Sequence, residues 1–138
     1  LQIGAASIDG NTYSLAIDGT ISASATFSAT DAFGVVIGGR GGTVALPGGI
    51  GVAGSIAATA VDSTATALLI NPGASATSLT NTGSIRASLS QAGGPAVYAI
   101  RDLSGGLTSV VNHGAIAASA AVTSVAADLS ANTTGVTY

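Results

Sequence analysis

A five-residue unit recurs along this chain at nearly constant spacing, and few folds accommodate that. It reads Asn81-Thr82-Gly83-Ser84-Ile85 and returns as Asn112-His113-Gly114-Ala115-Ile116, Val52-Ala53-Gly54-Ser55-Ile56 and Ile17-Asp18-Gly19-Thr20-Ile21. Gly19, Gly54, Gly83 and Gly114 stand 35, 29 and 31 residues apart. Self-similarity at a period of about 30 residues marks a stacked repeat, whose units are each too small to bury an apolar face alone and are completed by their neighbours.

Residue types decide between helical and β repeats. The chain is 47% hydrophobic but only 7% charged, and it has 20 glycines with abundant Ser and Thr. These are poor helix formers. No stretch keeps apolar residues at i, i+3, i+4 and i+7 over three turns, so the chain is read as β structure throughout. Small side chains suit thin, closely stacked layers.

Each repeat supplies three short strands. The first follows the glycine, and in Ile21, Ala23 and Ala25 it alternates apolar with Ser22, Ser24 and Thr26. The second is Gly34-Val35-Val36-Ile37, then Ala67-Leu68-Leu69-Ile70, Val97-Tyr98-Ala99-Ile100 and a weaker Val125-Ala126-Ala127-Asp128-Leu129. The third is Thr43-Val44-Ala45-Leu46, Thr77-Ser78-Leu79-Thr80 and Leu107-Thr108-Ser109-Val110-Val111. At the start, Leu1-Gln2-Ile3-Gly4 reads as a strand already in mid-repeat, like Leu68-Leu69-Ile70-Asn71. Asp9-Gly10-Asn11 reads as a turn, followed by the alternating strand Tyr13-Ser14-Leu15-Ala16-Ile17.

Three strands in about 31 residues with no helix between them make one coil of a right-handed parallel β-helix. The expected fold is all-β, a single β-solenoid segment over residues 1–138 with about four coils beginning near Gly19, Gly54, Gly83 and Gly114. Stacking at about 4.8 Å pairs each strand with its equivalents. Ile21, Ile56, Ile85 and Ile116 are then expected to form one core ladder, and Ile37, Ile70 and Ile100 another. Each buried Ile contributes about 1.5–3 kcal/mol, so Ile85→Asp is expected to be far more damaging than a change at Ser84. The glycines mark corners, and Asn81 and Asn112, which share their inward parity, are expected to stack their amides. Neither end reads as a polar cap, so the rod is expected to continue, in the same polypeptide or through copies stacked end to end.

The Asn-x-Gly-x-Ile units at Asn81 and Asn112, preceded by Ser78-Leu79 and Val110-Val111, resemble the coils of secreted bacterial β-helix proteins, above all the passenger domains of type V autotransporters. The resemblance implies export and display on the bacterial cell surface, at the outer membrane, as an adhesin, stalk or fibre. Ile17 and Val52 depart from the pattern by replacing its Asn.

No chemical site stands out. A net charge of −3 with three scattered arginines, Arg40, Arg86 and Arg101, argues against nucleic acid. The uncharged runs over residues 41–61 and 63–85 are broken by Gly, Pro and Asn, so no transmembrane helix is expected. The absence of Cys permits an oxidising, extracellular setting without requiring it. His113, the sole histidine, aligns with Thr82, Ala53 and Asp18 and is expected to be exposed and unpartnered. Asp31 and Asp62 precede equivalent strands. Paired, they have the composition of a glycosidase or calcium site; as solvated loop residues they have none, and their unequal distances from Gly19 and Gly54 favour the latter. Arg101-Asp102 reads as a local ion pair, and residues 38–42 as a glycine corner without the Lys of a phosphate loop. Ser22, Ser24, Thr26, Ser28, Thr59 and Ser88 suggest a mixed hydroxyl face, less regular than an ice-binding array. Tyr13, Tyr98, Phe27 and Phe33 are too scattered along the sequence for a sugar platform.

The expectation is therefore a structural or adhesive extracellular rod with no enzymatic activity, no cofactor and no metal. It would be joined to its own chain or to copies of itself, with a host or cell-surface ligand as a further partner. A self-assembling surface-layer or filament subunit is the second reading, and a carbohydrate-active β-helix fragment the third.

Overall fold

A computed structural model of the chain describes residues 2–8, 10–120 and 122–138. Leu1 of the expected opening strand and Asp9 of the first turn lie outside the described residues. Fifteen strands follow one another: β1 (Gln2–Ile8), β2 (Asn11–Ile17), β3 (Thr20–Ser24), β4 (Ala32–Ile37), β5 (Val44–Leu46), β6 (Ile50–Val52), β7 (Ser55–Ala60), β8 (Ala65–Ile70), β9 (Ala74–Ala76), β10 (Ser78–Asn81), β11 (Ser84–Leu89), β12 (Val97–Asp102), β13 (Ser109–Asn112), β14 (Ala115–Ser119) and β15 (Ser124–Asp128). The described residues contain no helix.

These strands form three main sheets, in which neighbours in space, β1 and β2 apart, are one coil apart in sequence. Sheet A runs β1-β2-β6-β10-β13, sheet B β14-β11-β7-β3 and sheet C β15-β12-β8-β4, with a two-stranded sheet D of β5 and β9. Every pairing among β2 to β15 is parallel. The chain thus climbs through sheets A, B and C and returns one rung along, four times. It is a parallel β-solenoid of four coils, the first holding β2–β5, the second β6–β9, the third β10–β12 and the fourth β13–β15.

The rungs are held in register by the alternation of side chains. Along β7 exposure alternates strictly, with Ile56, Ala58 and Ala60 turned inward. Ile21, Ile56, Ile85 and Ile116 stand opposite one another in sheet B. Ile56 and Ile85 are fully buried, whereas Ile21 and Ile116, on the end rungs, are half-buried. A one-residue slip would turn this whole set outward, so the register is strongly specified.

The corner from sheet A to sheet B is repeated bond for bond. The N–H groups of Ala53 and Gly54 donate to Ile17 O at 2.8 and 2.9 Å, and Ser55 N donates to Gly19 O at 2.9 Å. One coil on, Thr82 and Gly83 donate to Val52 O and Ser84 to Gly54 O; after that, His113 and Gly114 donate to Asn81 O and Ala115 to Gly83 O. A methyl group on Gly54, Gly83 or Gly114 would overlap the carbonyl oxygen of the repeat glycine beneath it. Glycine is required there by close approach, not by a positive φ.

Three expectations are corrected. Ile100 does not continue the Ile37–Ile70 ladder. Ile37 pairs with Ile70 and Ile70 with Asp102, while Val35, Leu68 and Ile100 form the neighbouring ladder. The cause is a break in alternation: Ala67 and Leu68 are adjacent yet both fully buried, as are Ala99 and Ile100. Next, residues 43–46 are not the equivalent of residues 77–80. β5 pairs with β9 in sheet D, and β6 takes the sheet A position beside β10. The extra Pro47-Gly48-Gly49 turn lengthens that coil and displaces the register. Finally, β1 is not a coil strand. It runs antiparallel along the free edge of β2, with Ile8 opposite Asn11 and Gly10 at φ 80° leading into β2.

Candidate functional site

Polar side chains in this molecule have two uses, to tie one coil to the next and to close turns within a coil. Asp31 and Asp62 each bond to the loop that carries the other. Asp31 Oδ1 accepts bonds from Ser63 Oγ (2.5 Å) and Thr64 N (3.0 Å) of the following coil, and Asp62 Oδ1 reaches back to accept from Ala29 N (2.8 Å). Ala29 sits at φ 57°, a left-handed conformation that this reciprocal contact holds in place. Each carboxylate already serves as a backbone acceptor in the coil opposite.

Arg101 and Asp102 are not an ion pair, which corrects the reading from adjacency. Successive residues in a strand face opposite ways. Asp102 is buried, with Oδ1 accepting from Ser104 N (2.9 Å), Ser104 Oγ (2.6 Å) and Gly105 N (3.2 Å), and Oδ2 from Leu107 N (3.0 Å). Arg101 points outward to the last coil, where its Nε lies 3.4 Å from Asp128 Oδ2 and its guanidinium carbon 4.4 Å from the Tyr98 ring centre. Asp128 repeats part of the Asp102 arrangement by accepting from Ser130 N and Oγ. Those bonds, with Arg101 nearby, hold the Asp128 carboxyl below the usual aspartate range against the opposing effect of burial.

Asn81 is fully buried in the sheet A corner. Its Nδ2 donates to Asn112 Oδ1 at 2.7 Å and to Ala115 O at 3.3 Å, so the two amides stack across coils. On the other side its ladder neighbours are Val52 and then Ile17, which have no donor to offer, and Asn81 Oδ1 is left without a partner. The two repeats that depart from the Asn pattern thus have a direct consequence for its first Asn.

The outer faces carry what remains. On sheet B, Ser24, Thr59, Ser88 and Ser119 form a hydroxyl ladder, and Thr59 and Ser88 lie 3.1 Å apart. Ser22 belongs to the adjacent row with Ala57, Arg86 and Ala117, which interrupts the hydroxyl face, and Thr26 and Ser28 lie beyond the strand. On sheet C, Phe33, Thr66, Tyr98 and Val125 share one row, in which Thr66 is fully buried, so two aromatics scattered in sequence stand two rungs apart in space. Phe27 is exposed and lies outside the strands.

On the outer face of sheet A a cleft of about 280 Å³ runs between Tyr13 and His113, with Asn11, Gly51, Thr80 and Thr82 along it. His113 is exposed there. The Tyr13 ring lies flat on Gly51, where a methyl group would come 2.5–2.7 Å from ring carbons. Gly51 inside an apolar strand was the available sign of such a close approach. The cleft presents hydroxyls, an amide and an imidazole beside the apolar Ile8, Val52 and the Tyr13 ring, a mixed lining that offers a ligand both hydrogen bonds and apolar contact. Among the described residues no group of three or more His, Cys, Asp or Glu is placed to hold a metal ion, and no helix is long and apolar enough to cross a membrane. Compared with known protein families, curated proteins and solved structures, the chain finds no match.

Proposed function

We propose that this chain is a structural or adhesive segment of an extracellular rod or stalk on a bacterial surface, of the kind the autotransporter passengers exemplify. The observation that carries the reading is the use of its polar groups. Asp31, Asp62, Asn81, Asn112 and Asn132 each bond to another coil, so polar chemistry is invested in the continuity of the stack. A stack bonded in this way holds its outer faces at fixed spacing along an axis, which is what a stalk or an adhesive surface requires. The reading gives the chain no catalytic role. The cleft at Tyr13 and His113 is the place on it for a cell-surface ligand.

Surface labelling of intact source cells tests the location. An antibody to this chain should bind unpermeabilised cells, external protease should remove the epitope, and the native polypeptide should have a mass well above that of this segment. An epitope reached only after lysis would overturn the reading.

A further inference from the structure

We infer that the cleft on the outer face of sheet A is a binding site for a neutral saccharide, with the Tyr13 ring as its stacking platform. The inference rests on the reading of the chain as an adhesive rod and names what its cleft takes. The cleft draws on every coil, from Tyr13 through Gly51 and Thr80 to His113, so it lies along the flank of the stack. By strict alternation Tyr13 would turn inward with Leu15 and Ile17, both buried. The N–H groups of Ser14 and Leu15, however, both donate to Gly49 O, at 3.1 and 3.2 Å, and the alternation is interrupted as at a β-bulge. Gly51 stands between Ile50 and Val52, whose side chains are in the core, so its open side is the outer face. The Tyr13 ring lies on that side.

Two departures from the repeat meet at this ring. The first is the extra Pro47-Gly48-Gly49 turn, which supplies the shared acceptor on Gly49 and whose Gly48 N donates to Ser14 Oγ at 2.8 Å. The second is Gly51, whose rung partners Ala16 and Thr80 carry side chains. A methyl group at Gly51 would displace the ring. β10 and β13 pair in sheet A without either feature, so coil stacking does not require them. Together they lay an aromatic ring against the backbone and leave it lining the cleft.

The surroundings of the ring select the ligand. A pyranose has an apolar C–H face that packs on an aromatic ring, and hydroxyls at its edge that need donors and acceptors. Tyr13, with Ile8 and Val52 beside it, offers the apolar side, and the Asn11 amide, the Thr80 and Thr82 hydroxyls and the His113 imidazole offer the polar one. Asn11, Thr82 and His113 are exposed, so their polar ends are open to a ligand. No carboxylate or guanidinium is among the described residues that line the cleft. Asp18 takes the corner place of Thr82 and His113 in the first coil, a carboxylate nearby that disfavours an anionic sugar. A volume of about 280 Å³ is at the lower end for small-ligand sites and suits a short saccharide. An extended peptide would seek a strand edge to pair with, but in sheet A β1 lies on the edge of β2 and Thr137 on that of β13.

Saturation-transfer NMR on the full chain tests this, with short neutral oligosaccharides of glucose, galactose, mannose and N-acetylglucosamine as probes, beside sialylated and uronic oligosaccharides and a random peptide library. At least one neutral saccharide should bind, with transfer strongest at its ring C–H protons. Tyr13→Ala should weaken that binding about ten-fold or more, while Tyr13→Phe, which keeps the ring, should stay within about three-fold. Thr82→Val and His113→Ala, both at exposed positions, should each weaken it about three-fold, and Arg86→Ala on sheet B should leave it unchanged. The inference is overturned if no neutral saccharide binds, if charged sugars or peptides bind in preference, or if binding is indifferent to Tyr13→Ala. If Tyr13→Ala does not fold, the two exposed variants decide, and unchanged binding in both overturns the inference. Surface labelling of cells reads location and the saccharide series reads the cleft, so the rod reading and this inference fail separately.

Discussion

Two of the corners in each coil are built on opposite plans. Between sheets A and B the second, third and fourth coils make the same three backbone bonds to the coil beneath, and each repeat glycine sits on the carbonyl of the one before. On leaving sheet C the coils share no single plan, although the last two both begin with an Asp that accepts from the Ser two residues on. The first uses Gly38, Gly39 and Gly41, all at positive φ; the second uses Asn71-Pro72-Gly73, with Ala74 N bonded to Asn71 O; the third folds around the Asp102 carboxylate. The last uses Asp128, then Asn132, whose Oδ1 accepts from Thr134 and Gly135. A corner that interlocks with its neighbours must be copied in every coil. One closed largely by local turns is free to change.

The sharpest way to break this comparison is one methyl group placed in each corner. Gly83→Ala pushes a Cβ into the Gly54 carbonyl, a backbone atom that moves only if the coils separate. The expected loss is about 3 kcal/mol or more, the upper range of overpacking, read from urea denaturation. Gly41→Ala meets open space and suffers only its φ of 80°, a loss of about 1 kcal/mol. Equal losses at the two positions would mean that the first corner is not interlocked.

Asp102→Ala tests the opposite plan. It removes the acceptor of four bonds and leaves Leu107 N buried without a partner. About 2–3 kcal/mol should be lost, and hydrogen exchange should quicken at Ser104, Gly105 and Leu107 while the amides of Gly54 and Gly83 stay protected. Exchange that spread into the glycine corner would show that the two corners are not independent.

The same contrast explains what could be read from the sequence. The β-solenoid class, its coil number and the Ile21-to-Ile116 register were legible because the interlocked corner forces Gly-x-Ile to recur. The sheet C register was not. Its strands bury two adjacent residues, so aligning the apolar runs on their final Ile placed Ile100 two residues out and hid that Asp102 occupies the inward position of Ile70. A buried aspartate looks like a loop residue when its partners are backbone N–H groups. The antiparallel course of β1 had a local sign in Asp9-Gly10, but strand-like alternation is identical in both directions. The cleft on sheet A was illegible for a related reason, since it joins Tyr13 to His113 from opposite ends of the stack.

A finer test sits inside the interlocked corner. Val52→Asn gives Asn81 Oδ1 the donor it lacks by extending the amide ladder one rung, at the expense of a buried aliphatic. The net cost should be about 1 kcal/mol, against about 3 kcal/mol or more for Ile50→Asn, whose rung partners are Leu15 and Leu79. Equal costs would show that the unpaired amide oxygen has no bearing on position 52.

The smallest effect expected is a pH dependence confined to the last corner. The Asp128 carboxyl is held below its ordinary value first by Ser130 Oγ, then by Ser130 N and the Arg101 charge, with burial opposing them. A carboxyl whose folded pKa lies below its unfolded value of about 3.9 adds stability that is complete above that value and lost as pH falls through the folded one. Asp128→Asn keeps an acceptor for Ser130 but removes the charge opposite Arg101, so it should cost under about 1 kcal/mol at pH 6. Melting curves of the two proteins should converge as pH falls below about 4. A gap that persisted at pH 2 would mean that Asp128 acts by shape alone, and that the last corner, like the first, is held by geometry rather than charge.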